Sequence, residues 1–348
     1  MDTRVCRLHA PHDIRIETLP LDGPAPGEVL VAVGAGGICG SDLHYYHDGG
    51  FGPVRVREPI VLGHEAAGTV IALGAGVSGL TQGQMVALNP SQPCGTCLYC
   101  QQGMFNHCLE MRFRGSAMRV PHEQGLFRDR IAIGAAQCVP VGPGISLGQA
   151  ACSEPLAVCL HARRIAGDLT GKTVLVTGAG PIGALCAAVA TEGGAAEVVV
   201  TDLQDVPLEV ALQMGASRIV NIARDPAALE AYAADKGRFD VVFECSAAAP
   251  AIAQAIATLR PRGIFVQVGV AGETPVPLNL IVGKEIQVRG THRFHPEFAE
   301  AVAAISSGRI DVRPMISASF PLEDAEAAFE AAGDRTRAVK VHLSFEAP

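Results

Sequence analysis

The sequence predicts an α/β protein in two parts, a β-rich, barrel-like module followed by a doubly wound parallel sheet. Three observations carry this. Up to about residue 145, short apolar runs at 29–33, 68–73 and 85–88 are broken by Gly and Pro, with no helical periodicity between them. At Gly142-Pro143-Gly144 the texture changes, and Ala-rich stretches begin to alternate with strongly apolar ones. That alternation implies a parallel sheet covered by helices on both faces. Finally, the apolar run 173–177 passes directly into a glycine-rich turn and then an Ala-rich stretch, the strand–turn–helix order of a nucleotide-binding unit.

The elements follow in order. In the second part, strands are expected at 173–177, 198–201, 218–220, 239–245, 263–269 and 285–289, with helices at 182–192, 207–214 and 250–259. After Gly290 the alternation stops, leaving a helix at 296–306 and a short strand at 339–343. The length of 348 residues allows two domains. A net charge of −8 argues against a nucleic-acid partner, because phosphate binding needs a basic footprint. Residues 1–11 lack an apolar signal core, and no apolar run reaches the ~18 residues needed to span a bilayer, so no membrane partner is expected. Eleven cysteines suit a reducing compartment, and a cytoplasmic location is expected. Cys6, Cys138, Cys152, Cys159, Cys186 and Cys245 lie in apolar or strand-like surroundings and read as core.

The glycine turn is Gly178-Ala179-Gly180-Pro181-Ile182-Gly183. Gly178 permits the tight turn, Gly180 lets a pyrophosphate approach the backbone, and Gly183 lets helix and strand pack closely. The free N–H groups at the helix start then face the phosphates. About twenty residues on, the next strand ends in Asp202, where an acid holds a ribose 2′-hydroxyl. Asp202 would repel a 2′-phosphate, and Leu203, Gln204, Asp205 and Val206 offer no cation to hold one. The expected cofactor is therefore NAD rather than NADP. The competing role for Asp202 is a helix N-cap.

Two groups of residues can hold metal. Cys94, Cys97, Cys100 and Cys108 stand at C-x2-C-x2-C-x7-C, with Pro93, Gly95 and Gly103 supplying turns. Four thiolates match a closed structural zinc site. An iron–sulfur cluster and a disulfide framework are the alternatives. The second group is dispersed: Cys39 in 37–44, His64 and Glu65 in Gly63-His64-Glu65, and Glu154 in 152–156. One thiolate, one imidazole and one carboxylate, here Cys39, His64 and Glu154, leave a fourth position open, as a catalytic zinc requires. Taken singly, each of these residues is as readily explained by burial in a core.

The segments 36–44, 63–65, the cysteine lobe at 90–110, Glu154-Pro155-Leu156 and the glycine turn occur in one order over essentially the whole chain. In this they resemble the zinc-dependent medium-chain dehydrogenases, and within them the polyol, sorbitol-type branch. The resemblance implies a GroES-like catalytic domain at 1–145, a Rossmann NAD-binding domain at 146–288 and a return to the catalytic domain at 289–348. It implies two zinc ions per chain, the catalytic one on Cys39, His64 and Glu154, with Glu65 touching it directly or through water. Ser41 resembles the relay hydroxyl beside the metal and His44 the outer base that passes the proton to water; a helix N-cap and a surface histidine are the competing roles. Tyr45 and Arg293 match polyol contacts.

The substrate implied is a small molecule, a secondary alcohol of a sugar acid or polyol. A sugar-acid carboxylate would want a fixed arginine, for which Arg293, Arg112, Arg114 and Arg119 are candidates. Sorbitol-, xylitol-, galactitol- and threonine-type dehydrogenases are the alternative enzymes, and a zinc-free reductase or a non-catalytic NAD-binding regulator is the alternative class. The resemblance also implies a homo-oligomer, dimer or tetramer, joined through the edge of the nucleotide-domain sheet, for which 263–280 is the expected segment.

Overall fold

The computed structural model describes residues 1–270 and 272–345; the last three residues of the expected C-terminal return, 346–348, lie outside the described residues. The N-terminal half is built on a seven-stranded sheet in which Cys138–Pro140, Met85–Leu88, Glu65–Leu73, Glu28–Gly37, Lys340–Ser344 and Ile316–Pro321 are successive neighbours, with Arg130–Gly134 also pairing to Glu28–Gly37. The chain therefore comes back at its end. Lys340–Ser344 inserts beside Glu28–Gly37 in antiparallel register, with His342 opposite Gly37. A hairpin of Asp2–Ala10 and Asp13–Pro20 packs over this sheet. Its Cys6 and Leu8, together with Val31, Val33, Phe127 and Phe329, are fully buried in one apolar cluster.

The second half is a six-stranded, all-parallel sheet in the order Arg218–Asn221, Glu197–Asp202, Thr173–Thr177, Phe239–Glu244, Leu259–Gln267, Gln287–Gly290. In sequence order this is 3-2-1-4-5-6, the Rossmann arrangement, whose switch point lies between Thr173–Thr177 and Phe239–Glu244. The central strands carry apolar residues on both sides because helices cover both faces: Ser153–Ala166, Pro181–Glu192 and Glu297–Ser306 share one cluster with Val174, Val176 and Phe243, while Leu175, Val242 and Phe265 face the helix Ala249–Thr258. The expected strand at 263–269 begins earlier, at Leu259, and lies inside the sheet. The open edge beside it is Gln287–Gly290, seven residues beyond the segment expected to form it. Among the described residues, no helix is long and apolar enough to cross a membrane.

Candidate metal centre and dinucleotide site

The strand Glu28–Gly37 ends at the mouth of the catalytic module, and Cys39 follows as N-cap of the helix Gly40–Asp48. Gly63, in a left-handed conformation with φ 90°, turns the chain so that His64 enters beside it, and Glu65 opens the next strand directly opposite Gly37. Asp42 ties these loops together. It is fully buried and accepts the N–H groups of Cys39 (3.0 Å) and Gly63 (3.2 Å). Ligand atoms of Cys39, His64 and Glu65 consequently lie within 4.8 Å of one another.

This arrangement differs from the expected trio. Glu154 is buried at the start of the helix Ser153–Ala166 but stands outside that 4.8 Å group. Burial pushes its carboxyl up to about 7, with His64 and Glu65 among the charges acting on it. Glu65 reaches the cluster because Gly37 has no side chain: a Cβ there would lie 2.2 Å from Glu65 Oε2. Its carboxylate is gripped by Lys340, whose Nζ donates to both oxygens at 2.7 and 2.8 Å and to the Ile38 carbonyl at 3.1 Å. Both side chains are 1% exposed. A carboxylate offers about four acceptor positions, so this grip leaves room for a metal. A half-buried thiol with a buried imidazole and a buried carboxylate, brought to one point, fits zinc with an open position. Lys340 carries no sequence signal of its own, since it arrives on the last strand, 275 residues from Glu65.

The cleft in front of the cluster is shaped by Phe113, Tyr45 and Arg293. The Phe113 ring stands 5.6 Å from that of His64, and the Arg293 guanidinium lies over Phe113 at 4.0 Å. Arg293 has a positive φ of 52°, and its only side-chain hydrogen bond among the described residues runs to Met118 Sδ, at 3.0 Å. Burial lowers its pKa, while Glu154 and Tyr45 act to raise it, which places all three in one neighbourhood. Tyr45 is buried, and its hydroxyl accepts the Ala117 N–H at 3.2 Å. Ser41 and His44 share one face of the helix Gly40–Asp48, Ser41 half-buried and His44 exposed with Nδ1 3.2 Å from Asp48. Cys39, not Ser41, occupies the N-cap position. Arg112 and Arg119 are committed elsewhere, to Glu123 and Glu110, both at 2.9 Å.

Ligand atoms of Cys94, Cys97, Cys100 and Cys108 also lie within 4.8 Å of one another. Backbone donors face the sulfurs: Cys108 Sγ accepts the N–H groups of Cys94 (3.2 Å) and Glu110 (3.3 Å), and donors from Thr96 and Cys97 lower Cys94 to about 6, while burial pushes Cys100 up to about 12. All eleven cysteines are free thiols, which leaves the disulfide alternative without support. The lobe docks on the segment carrying Arg293, through Asn106 to the His292 carbonyl (3.0 Å) and Phe105 against His295 (4.0 Å).

At the switch point, Gly178 has φ 85°, and a Cβ on Gly183 would lie 1.7 Å from the Gly178 carbonyl. Only glycine fits either place. Gly180 is the N-cap and Pro181 the first residue of the helix Pro181–Glu192, with Ile182 in its first turn. Asp202 accepts N–H groups from Ala179 (2.7 Å), Leu203 (2.7 Å) and Gln204 (3.0 Å). It thus fixes the glycine turn, and the N-cap of the next helix is Gln204. The turn, whose three glycines bring no side chains and which leads into the start of the helix Pro181–Glu192, fits a dinucleotide pyrophosphate. Sequence reasoning missed Arg335, which comes from the C-terminal return and occupies the space a Cβ on Gly180 would take, with Nη1 2.4 Å from that position.

Known proteins share this arrangement. Residues 25–143 match the alcohol dehydrogenase GroES-like domain, and residues 181–307 match the zinc-binding dehydrogenase family. The chain is 43% identical to L-idonate 5-dehydrogenase (NAD(P)(+)) of Escherichia coli over 91% of each chain. It is 34% identical to sorbitol dehydrogenase of Bacillus subtilis, over 93% of this chain and 92% of that one. The crystal structure of the Escherichia coli L-idonate 5-dehydrogenase superposes with a TM-score of 0.95, covering 99% of both chains at 41% identity. With metal-binding thiols, a Rossmann sheet and a GroES-like module joined in the same order as in these relatives, the chain belongs to the zinc-dependent medium-chain dehydrogenases, in their polyol branch, enzymes that pass hydride from an alcohol to a nicotinamide dinucleotide.

Proposed function

We propose that this enzyme oxidises a secondary alcohol of a sugar acid, with L-idonate the first candidate and NAD the hydride acceptor. The observation that carries the reading is Arg293, a cation held over Phe113 in the catalytic cleft with no carboxylate partner among the described residues. Such a guanidinium suits a substrate carboxylate or a row of hydroxyls. Cys39, His64 and Glu65 are the residues that would hold the catalytic zinc, with Glu154 buried next to them, and the four lobe cysteines would hold a second, structural ion. Zinc so placed would supply Lewis-acid polarisation of the substrate hydroxyl, and a bound dinucleotide would supply the hydride acceptor.

The chain's own residues do the rest. Phe113 and Tyr45 wall the cleft, Arg293 and Tyr45 orient the substrate, and Ser41 and His44 lead along one helix face from the cluster to solvent, a route for the departing proton. Asp202 supports NAD, because a 2′-phosphate would meet its carboxylate. Exposed Leu278, Val282 and Val288 beside the open edge Gln287–Gly290 support assembly with a second copy, as a dimer or tetramer. Free thiols throughout support a cytoplasmic location.

Steady-state kinetics with L-idonate and sorbitol, each with NAD and NADP, test the reading. Idonate with NAD is expected to be preferred, and Arg293→Ala to lower kcat/KM for idonate roughly 10- to 100-fold, the worth of a hydrogen bond to a charged group. Equal efficiency on both substrates, untouched by Arg293→Ala, would sink it in favour of a neutral polyol.

A further inference from the structure

One fully buried acid at the switch point belongs neither to the metal cluster nor to the glycine turn. Glu244 closes the strand Phe239–Glu244, between Thr173–Thr177 and Leu259–Gln267, and is 0% exposed. A carboxylate so buried is costly unless donors surround it. Here every partner among the described residues is a neutral donor. Oε1 accepts the Thr177 hydroxyl at 3.2 Å, the Ser246 N–H at 2.9 Å and the Ser246 hydroxyl. Oε2 accepts the Gln267 amide at 2.6 Å, and the Ala247 N–H reaches both oxygens at 3.1 Å. One side chain thus joins the ends of three neighbouring parallel strands to the loop that follows its own.

That loop, Cys245 to Ala248, is wedged between two glycines. A Cβ on Gly178 would lie 3.0 Å from Ser246 N, and a Cβ on Gly269 would lie 2.9 Å from Ala247 N. Ala247 has φ 58°, a conformation that a non-glycine residue keeps only when its surroundings impose it. Gly178 opens the phosphate turn, and Gly269 lies in the turn after the next strand. The same acid holds that second turn. Its backbone carbonyl accepts the N–H groups of Val268 (2.9 Å) and Gly269 (2.8 Å), and the Gln267 amide that meets its carboxylate also donates to the Gly269 carbonyl at 2.8 Å. In a doubly wound sheet the dinucleotide lies across these strand ends, in the crevice at the switch point.

We infer that Glu244 is a positioning residue for the dinucleotide. Fully buried, it acts through the loop Cys245 to Ala248, the spacer that sets the separation of the two turns facing the crevice. A carboxylate is needed because all its partners donate; a glutamine would turn an NH2 group against one of them. This role concerns the cofactor and is independent of which alcohol is oxidised.

Calorimetric titration of the zinc-loaded, full-length enzyme with NADH tests it. A partly unfolded population lowers the stoichiometry of binding, whereas a displaced loop lowers the affinity. Glu244→Gln is expected to weaken NADH roughly tenfold at unchanged stoichiometry, the worth of a hydrogen bond to a charged group. In steady-state kinetics the KM for NAD should rise by a similar factor while the KM for the alcohol stays as in the wild type. The swap Glu244→Gln/Gln267→Glu puts an amide and a carboxylate face to face again with their strands exchanged, and should return the affinity to within about threefold of wild type. If Glu244→Gln does not fold, Gln267→Met, which removes the bridging amide and keeps the carboxylate, should weaken NADH in the same sense. A fall in stoichiometry alone, an unchanged affinity, or a swap that binds no better than Glu244→Gln would overturn the proposal.

Discussion

Lys340→Met tests whether the last strand governs the candidate metal cluster of Cys39, His64 and Glu65. In the native chain the ammonium group makes three hydrogen bonds, two to Glu65 and one to the Ile38 carbonyl, and both charged side chains are 1% exposed. Methionine replaces the aliphatic stem with little change of volume, so the cavity contribution is small. What remains is a buried carboxylate without its counter-charge, worth about 3–5 kcal/mol of destabilisation. The double variant Glu65→Gln/Lys340→Met removes both charges and should recover much of that loss, a coupling of about 2 kcal/mol. Zinc moves the two observables in opposite directions. Without Lys340 the cluster loses a positive charge, so zinc should be held more tightly against a chelator even though the metal-free chain is less stable; Glu65→Gln should hold it less tightly. Equilibrium denaturation of zinc-loaded and chelator-treated protein, with zinc content by mass spectrometry, reads both. A loss below about 1 kcal/mol on Lys340→Met, with no recovery in the double variant, would refute the view that this pair is a closed, buried unit.

Arg335 at the glycine turn should matter to the cofactor and to little else: Arg335→Met is expected to weaken NADH about fivefold, an exposed charge-assisted contact of about 1 kcal/mol, and to leave adenosine, which lacks a pyrophosphate, unaffected. Equal loss for both ligands in a fluorescence titration would assign Arg335 to the fold instead. Glu297 gives the acid limb of stability. Burial pushes its carboxyl up, but the His161 hydrogen bond at 3.0 Å and the His295 N–H at 3.0 Å hold it at about 2, against an ordinary 4.5. A depressed carboxyl contributes stability above the ordinary value that disappears as pH falls through the folded one, here between 4.5 and about 2. Glu297→Gln should therefore cost about 3 kcal/mol near neutrality, with the gap from wild type closing over that window; a gap independent of pH would contradict the assignment.

The parallel sheet was legible because its strands are buried on both faces. In Thr173–Thr177 and Glu197–Asp202 the central residues 174–176 and 198–200 are unbroken, fully buried apolar runs. The strand from Leu259 was harder to place, since its first turn of sequence, Arg260-Pro261-Arg262, is exposed and polar and looks like a loop. The glycine turn could be read to the residue, because every part of it is contiguous and each glycine answers a local steric demand. The metal cluster could not be read that far. Sequence placed Glu154 on the metal with Glu65 touching it directly or through water; that Glu65 lies with Cys39 and His64 depends on a cross-strand partner, Gly37, whose missing Cβ leaves it room.

The residues missed, Lys340 and Arg335, have a common origin. Both come from the C-terminal return, and each acts on a site whose recognisable motif lies far away in sequence, one on the metal cluster and one on the glycine turn. The return strand is also the neighbour of Glu28–Gly37, whose end carries the chain into Cys39. Until Lys340–Ser344 pairs, Glu65 lacks its counter-charge, and burying it alone costs more than the strand's hydrogen bonds would give back. The pairing of the first and last parts of the catalytic module and the assembly of its metal cluster are therefore one event. A chain cut before residue 340 would keep every motif that identifies the family and still lack a closed cluster.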